Sequence, residues 1–175
     1  MKNIINQTNQ TYTSADTSIN ENKLPAIYGK LEKLNVRDCT ILDYGCGKYT
    51  EHIRKWCEDR NIRYLPYDPF NQDEKVNTDS YAWALITKAS GNLVVGVCSN
   101  VLNVIDNDYT IDSITDELRK LTNITFYTVY EGNRSGIGKV TKKDCWQRNE
   151  KLKSYLKFFK RHQVAELKYG MITAK

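Results

Sequence analysis

Two glycines and two acids are the residues of this chain whose types and spacing point to chemistry. Gly45 and Gly47, with Cys46 between them, follow Asp43-Tyr44 and break the apolar run Cys39-Thr40-Ile41-Leu42 at once. A backbone needs glycine where it must turn sharply or approach a ligand with no Cβ in the way. When a helix follows, the amides at its start face outward and a polar ligand can lie against them. Asp68 stands 25 residues after Asp43 at the end of the next apolar run, Ile62 to Tyr67, where a carboxylate can accept hydrogen bonds from both hydroxyls of a ribose. A glycine turn alone says little, since any strand-to-helix turn can use it and Asp68 can simply cap a strand end. Strand, glycine turn, helix, strand and terminal acid in this order point to a nucleoside-bearing ligand.

The elements that must position these residues can be read around them. Thr50 to Cys57 puts Ile53, Trp56 and Cys57 on one helical face, with Thr50 as N-cap, which completes a β-α-β unit of about thirty residues. Upstream, Pro25 suits a helix's first turn, and Leu24, Ile27, Leu31 and Leu34 recur at helical spacing. Downstream, residues 71–79 are polar, with at most a very short strand near Val76, and a helical run follows from Tyr81 to Ile86. Leu93 to Cys98 is apolar without alternation, as in a central strand covered on both faces. A helix from Thr110 places Ile111, Ile114, Leu118 and Leu121 together, and Ile124 to Tyr130 is a β-branched and aromatic strand. A loop over 131–138 leads to a helix from about Asp144 with Leu152, Tyr155, Leu156 and Phe159 inward, then late strands at Val164 to Leu167 and Met171 to Thr173. The alternation predicts an α/β fold: a Rossmann-like, doubly wound, mostly parallel sheet with helices on both faces, binding its ligand at the carboxyl ends of the strands near a switch in strand order.

At this point the chain resembles the class I S-adenosylmethionine-dependent methyltransferases, whose first motif is an acid followed by G-x-G-x-G. Asp43, Gly45 and Gly47 match that motif, Tyr49 replaces the third glycine, and the resemblance covers roughly residues 24–175. It is similar in particular to small phage and bacterial methyltransferase-like proteins with a D-Y-G-C-G-K turn. The resemblance implies S-adenosylmethionine as cofactor, with the turn Asp43-Tyr44-Gly45-Cys46-Gly47 along the methionine moiety, Asp43 toward its amino group and Asp68 on the ribose. It further implies that Pro69 and Phe70 flank the adenine, that Asp79-Ser80 stand where the adenine amino group is bonded, and that Asn100 in Ser99-Asn100-Val101-Leu102-Asn103 faces the transferred methyl.

No residue is assigned as the catalyst. The loop after the 93–98 strand has neither the paired prolines of amino-methylating enzymes nor the Pro-Cys pair of a cytosine C5 enzyme. The polar loop 130–135, with Trp146 and Gln147 beyond it, is read as the acceptor side, where Glu131 could act as general base and Arg134 as anion clamp. Nicotinamide binding fits less well, because Glu51 and His52 stand where a dinucleotide fingerprint wants its third glycine. A methyltransferase with an unidentified acceptor is the leading expectation. A non-catalytic sensor, inhibitor or interaction protein on the same fold, or an enzyme that degrades the cofactor, stands beside it.

Composition bounds the rest. The chain has 175 residues, enough for one domain with a core and too few for two comfortable ones. Residues 1–22 are rich in Asn, Thr, Ser and Gln and are expected to form a mobile arm or lid, with the methyltransferase-like domain spanning 23–175. Five Cys without a C-x-x-C pair and two isolated His argue against zinc and for free thiols in a reducing, cytoplasmic setting. Neither a signal peptide nor a window of ~20 apolar residues is visible, so no membrane partner is expected. Of the net charge of +5, residues 139–175 carry 11 Lys/Arg against 3 Asp/Glu. Through Lys151, Lys153, Lys157, Lys160 and Arg161 this segment could meet a nucleic acid, or simply form a solvated helix face.

Overall fold

The computed structural model describes residues 10–17, 21 and 23–175. Alternate residues of its first strand, β1 (Thr40–Tyr44), serve opposite sides of a sheet: Ile41 packs in one hydrophobic cluster, Leu42 and Tyr44 in another. The first cluster contains Ile27, Tyr28 and Leu31 of helix α1 (Ala26–Lys33) and Ile53, Trp56 and Cys57 of α2 (Glu51–Glu58). On the opposite side lie Ala84 of α3 (Glu74–Ala89), Ile111, Leu118 and Leu121 of α4 (Asp108–Leu121), and Leu152, Tyr155, Phe158 and Phe159.

The sheet is mixed and six-stranded. Beside β1 on one side runs β2 (Arg63–Tyr67), and on the other β3 (Val94–Ser99), then β4 (Ile124–Thr128), all parallel. The last strand, β8 (Met171–Ala174), lies antiparallel between β4 and β7 (Ala165–Lys168). Strand order therefore reverses at β1: the chain steps from β1 to β2 on one side and then crosses back over β1 to β3 on the other. No helix among the described residues is long and apolar enough to cross a membrane.

Two elements depart from the sequence expectation. Val76 is helical, because α3 begins at Glu74, inside the polar segment 71–79 expected to hold a strand, and runs on through the helical run expected from Tyr81. In place of a helix from Asp144, a separate hairpin joins β5 (Lys139–Lys142) to β6 (Cys145–Gln147). Asp144 sits in its turn at φ 57°, and Asn149 at φ 57° stops a helix from running through, so only a 3-10 segment at Leu152–Phe158 remains.

Candidate functional site

At the carboxyl ends of β1, β2 and β3 lies a cavity of about 190 Å³. That is far more than the ~10–15 Å³ that a single water needs. Its walls include Asp43, Tyr44, Gly45, Cys46 and Gly47 after β1, Asp68, Pro69, Phe70 and Asn71 after β2, and Ser99, Asn100 and Val101 after β3. Nine of the ten residues singled out from the sequence are thus brought together. The tenth, Asp79, lies apart on α3, largely exposed and paired with Lys75 at 2.5 Å.

The glycine turn is held by the end of β2. The Gly45 and Cys46 amides donate to the Tyr67 carbonyl at 2.7 and 3.2 Å, and the Gly47 amide donates to Asp68 Oδ2 at 2.9 Å. Gly45 adopts φ 83° and Gly47 φ 74°, the left-handed region that glycine enters freely. A Cβ on Gly45 would stand 2.3 Å from Val101 Cγ2, so the turn also needs bare backbone against the loop after β3.

Asp43 is buried, and its Oδ2 accepts hydrogen bonds from the hydroxyls of Tyr28 at 2.8 Å and Tyr64 at 3.0 Å. Both bonds fall on one oxygen, and Oδ1 accepts neither. Burial pushes the Asp43 carboxyl up to about 6; the two tyrosine hydroxyls oppose that rise and the charge of Asp68 adds to it. Burial likewise pushes the Cys46 thiol well up, helped by Asp43 and Asp68, so no thiolate nucleophile stands in the turn.

Asp68 is buried and acts first as a cross-link. Its Oδ1 accepts from the Phe70 and Asn71 amides, both at 3.0 Å, and from Asn71 Nδ2 at 3.3 Å, while Oδ2 takes the Gly47 amide. A carboxylate has about four acceptor sites. Three of its bonds fall on Oδ1 and one on Oδ2, so Oδ2 keeps an acceptor site for a further donor. Replacing Asp68 by Asn removes the charge and puts an amide donor against either the Gly47 amide or the Phe70 and Asn71 amides, and is expected to lower folding stability by about 1.5–3 kcal/mol. Chemical denaturation checks this, and an unchanged midpoint would show that the cross-link contributes nothing.

Sequence reasoning missed several contributors. It assigns Tyr28 and Tyr64 no role at the site, and only the fold brings both to Asp43. Asn71 lines the cavity with a buried Oδ1 that has no hydrogen-bond partner, an acceptor left for a ligand donor. The arm residues Gln10, Thr13, Ser14 and Ala15 also form part of the wall. Ser14 donates its amide to the Asp144 carbonyl at 2.8 Å and its hydroxyl to the Val104 carbonyl at 2.9 Å, and Tyr12 stacks on Trp146 at 5.5 Å. Residues 10–17 thereby run along the rim between the cavity and the β5–β6 hairpin. The rest of the expected arm lies, except for residue 21, outside the described residues.

Glu131 and Arg134 are engaged with each other at 2.6 Å, and Glu131 also accepts the Leu152 amide at 2.7 Å; neither lines the cavity. Gln147 donates to the Tyr130 carbonyl and accepts from Asn103, a buried network that ties the hairpin to the loop after β3. Of the basic tail, Lys157 pairs with Asp108 and Arg161 with Asp116. Four of the five cysteines are buried, Cys46 is half-buried, and all are free thiols. Compared with family models and with curated proteins, the chain matches none.

Proposed function

We propose that the chain is a methyltransferase that binds S-adenosylmethionine in this cavity, on a Rossmann-like doubly wound fold. One observation carries the reading: the acid and glycine turn of β1, the acid of β2 and Asn100 after β3 converge on one cavity where strand order reverses. Open α/β sheets bind their ligands in that crevice. A dinucleotide is less well served by the same turn, because the amides of Gly45, Cys46 and Gly47 are all spent on the end of β2 and Asp68 and are not offered to a pyrophosphate. The turn offers bare backbone instead, which suits an amino-acid chain lying along it.

The residues present fit the cofactor. Asp43 would take its ammonium group, Gly45 and Gly47 the methionine chain, Asp68 and the orphaned Asn71 Oδ1 the ribose and adenine donors, and Phe70, 43% exposed at the rim, the base. When bound, the cofactor supplies a methyl on a sulfonium that is already a good leaving group. The protein's task is then to orient an acceptor in line and exclude water, for which positioning alone provides much of the barrier reduction. Val101, Val104, Ile105 and Ile114 give this end of the cavity an apolar lining, and Ser99 and Asn100 supply polar atoms beside it.

A thermal shift tests the reading. At a hundredfold excess over Kd, a ligand specific to the native state adds about 2.7 kcal/mol. For a chain of this size that raises the melting midpoint by roughly 5–11 °C. No rise at millimolar S-adenosylmethionine or its demethylated product sinks the proposal. Methyl-labelled cofactor then separates transfer to an acceptor from binding without turnover and from breakdown of the cofactor.

A further inference from the structure

The β5–β6 hairpin and its leading loop form a cationic surface beside the cavity. Residues 132–143 hold Arg134, Lys139, Lys142 and Lys143 and no acid. Every residue of β5 is exposed, although the partner strand β6 buries Cys145 and Gln147, so the hairpin turns its basic strand outward. Its turn reaches the cavity rim directly: the Asp144 carbonyl accepts the amide of Ser14, a cavity residue, and Lys142 Nζ donates to the Asp16 carbonyl at 2.7 Å. From the other side of the rim Lys48 meets the Asp16 carboxylate at 3.0 Å. Lys139 and Lys143 make no ion pair among the described residues. Exposed Tyr130, Ile137 and Val140 lie among these cations.

We propose that this hairpin is the docking surface for the methyl acceptor, and that the acceptor is a nucleic-acid strand whose phosphates lie along Lys139, Lys142, Lys143 and Lys48. The proposal rests on the cavity being the cofactor site. Lysines, of which Lys139 and Lys143 make no ion pair among the described residues, act as point charges suited to a phosphate backbone, whereas recognition of protein carboxylates favours bidentate arginine, and the one arginine here is held by Glu131. Tyr130, 64% exposed, gives a face on which a base can stack. Gly136 leaves open space beside the loop's backbone, whereas Gly132 and Gly138 let Asn149 and Trp146 pack against it. The tail lysines lie around the 3-10 segment at Leu152–Phe158, outside the hairpin whose turn bonds to the cavity rim.

Fluorescence anisotropy with a labelled short oligonucleotide, single-stranded in one arm and duplex in the other, tests this across a salt series. Four phosphate contacts predict a slope of log K against log salt of about −3 for a single strand and somewhat steeper for a duplex. Lys139→Glu with Lys143→Glu is expected to weaken binding at least about tenfold and to flatten the slope by more than about 1. Lys153→Glu with Lys160→Glu is expected to leave both unchanged, and both double variants should bind S-adenosylhomocysteine in calorimetry like the parent, which shows that they fold. Absence of oligonucleotide binding at about 50 mM salt overturns the proposal and leaves a protein or small-molecule acceptor. Loss of binding with the tail variant but not the hairpin variant overturns it too. Oligonucleotide binding through the hairpin without any cofactor binding would keep the surface and remove the methyltransferase reading, so the two failures are distinguishable.

Discussion

Gly45→Ala is expected to lower the melting midpoint by roughly 5–20 °C and to weaken binding of S-adenosylmethionine by more than about a hundredfold. Two independent costs add. A non-glycine residue at the observed φ of 83° pays about 1–2 kcal/mol for the left-handed backbone. Its Cβ would also press on Val101 Cγ2 at 2.3 Å, and overpacking of this kind costs about 1–3 kcal/mol. At about 2–4 °C per kcal/mol for a chain of this length, the sum gives the stated range. Relief can come from two directions only. If Val101 yields, the turn survives with a strained backbone; if the backbone yields, the Gly45 and Cys46 amides leave the Tyr67 carbonyl and the cavity wall opens. Adding Val101→Ala separates these costs, since it removes the clash and leaves the φ penalty. The double variant should therefore recover part of the lost stability and not all of it. A single variant as stable as the parent would show that the turn does not need glycine.

The segment from β1 to β2 was legible because local and global signals agree there. Its apolar runs are short, its turn is marked by glycine, and the helix between places Ile53, Trp56 and Cys57 on the face the sheet covers. Helix α3 was harder to read, because Asn77, Thr78, Asp79 and Ser80 are poor helix formers in sequence. The fold compensates at two of them. Asn77 accepts the Asp68 amide at 2.8 Å and donates to the Asp68 carbonyl at 3.0 Å, and Ser80 is buried. Once the helix forms, Asp79 is carried to its outer face beside Lys75, away from the position the resemblance implied for it. The hairpin was missed for a related reason: Leu152, Tyr155 and Phe159 do point inward, but the residues before them are turned by Asp144 and Asn149 in left-handed conformations that a periodicity count does not register. The tyrosine pair on Asp43 could not be read at all, since it joins α1 to β2 across the end of β1 and no spacing rule links positions 28, 43 and 64.

That pair leads to the second large effect, a pH-dependent site. Asp43 is faced by Tyr28 from α1, Tyr64 from β2, Asp68 at the end of β2, Cys46 in the turn, Cys57 on α2 and Cys98 on β3, with no cation among them. With its carboxyl pushed up to about 6 from the ordinary 3.8, the native protein holds this proton more tightly than the unfolded chain does. The sign follows: the contribution of Asp43 to stability is complete below the unfolded value near 3.8 and is lost as pH rises through about 6. At neutral pH the buried anion costs the ligand-free protein about 2–4 kcal/mol, at 1.36 kcal/mol per unit. Asp43→Asn keeps an oxygen for the two tyrosine hydroxyls and removes the charge, so the ligand-free variant should be more stable than the parent at pH 7 and equal to it near pH 4. A cationic ligand group reverses the balance, because the ammonium of S-adenosylmethionine needs the carboxylate ionised. Cofactor affinity should accordingly fall as pH drops through about 6, and the Asn variant should bind roughly 10–150-fold more weakly at pH 7, the equivalent of a charge-assisted hydrogen bond of about 1.5–3 kcal/mol. Tyr28→Phe and Tyr64→Phe remove donors that favour the carboxylate and should move the fall in affinity to higher pH without abolishing binding. Calorimetric titration of S-adenosylhomocysteine, which keeps the ammonium group, between pH 5 and 8 reads both effects. A flat profile in the parent, together with an Asn variant of unaltered affinity, would place the ligand's ammonium group elsewhere and reduce Asp43 to a buried acid that the tyrosines merely satisfy.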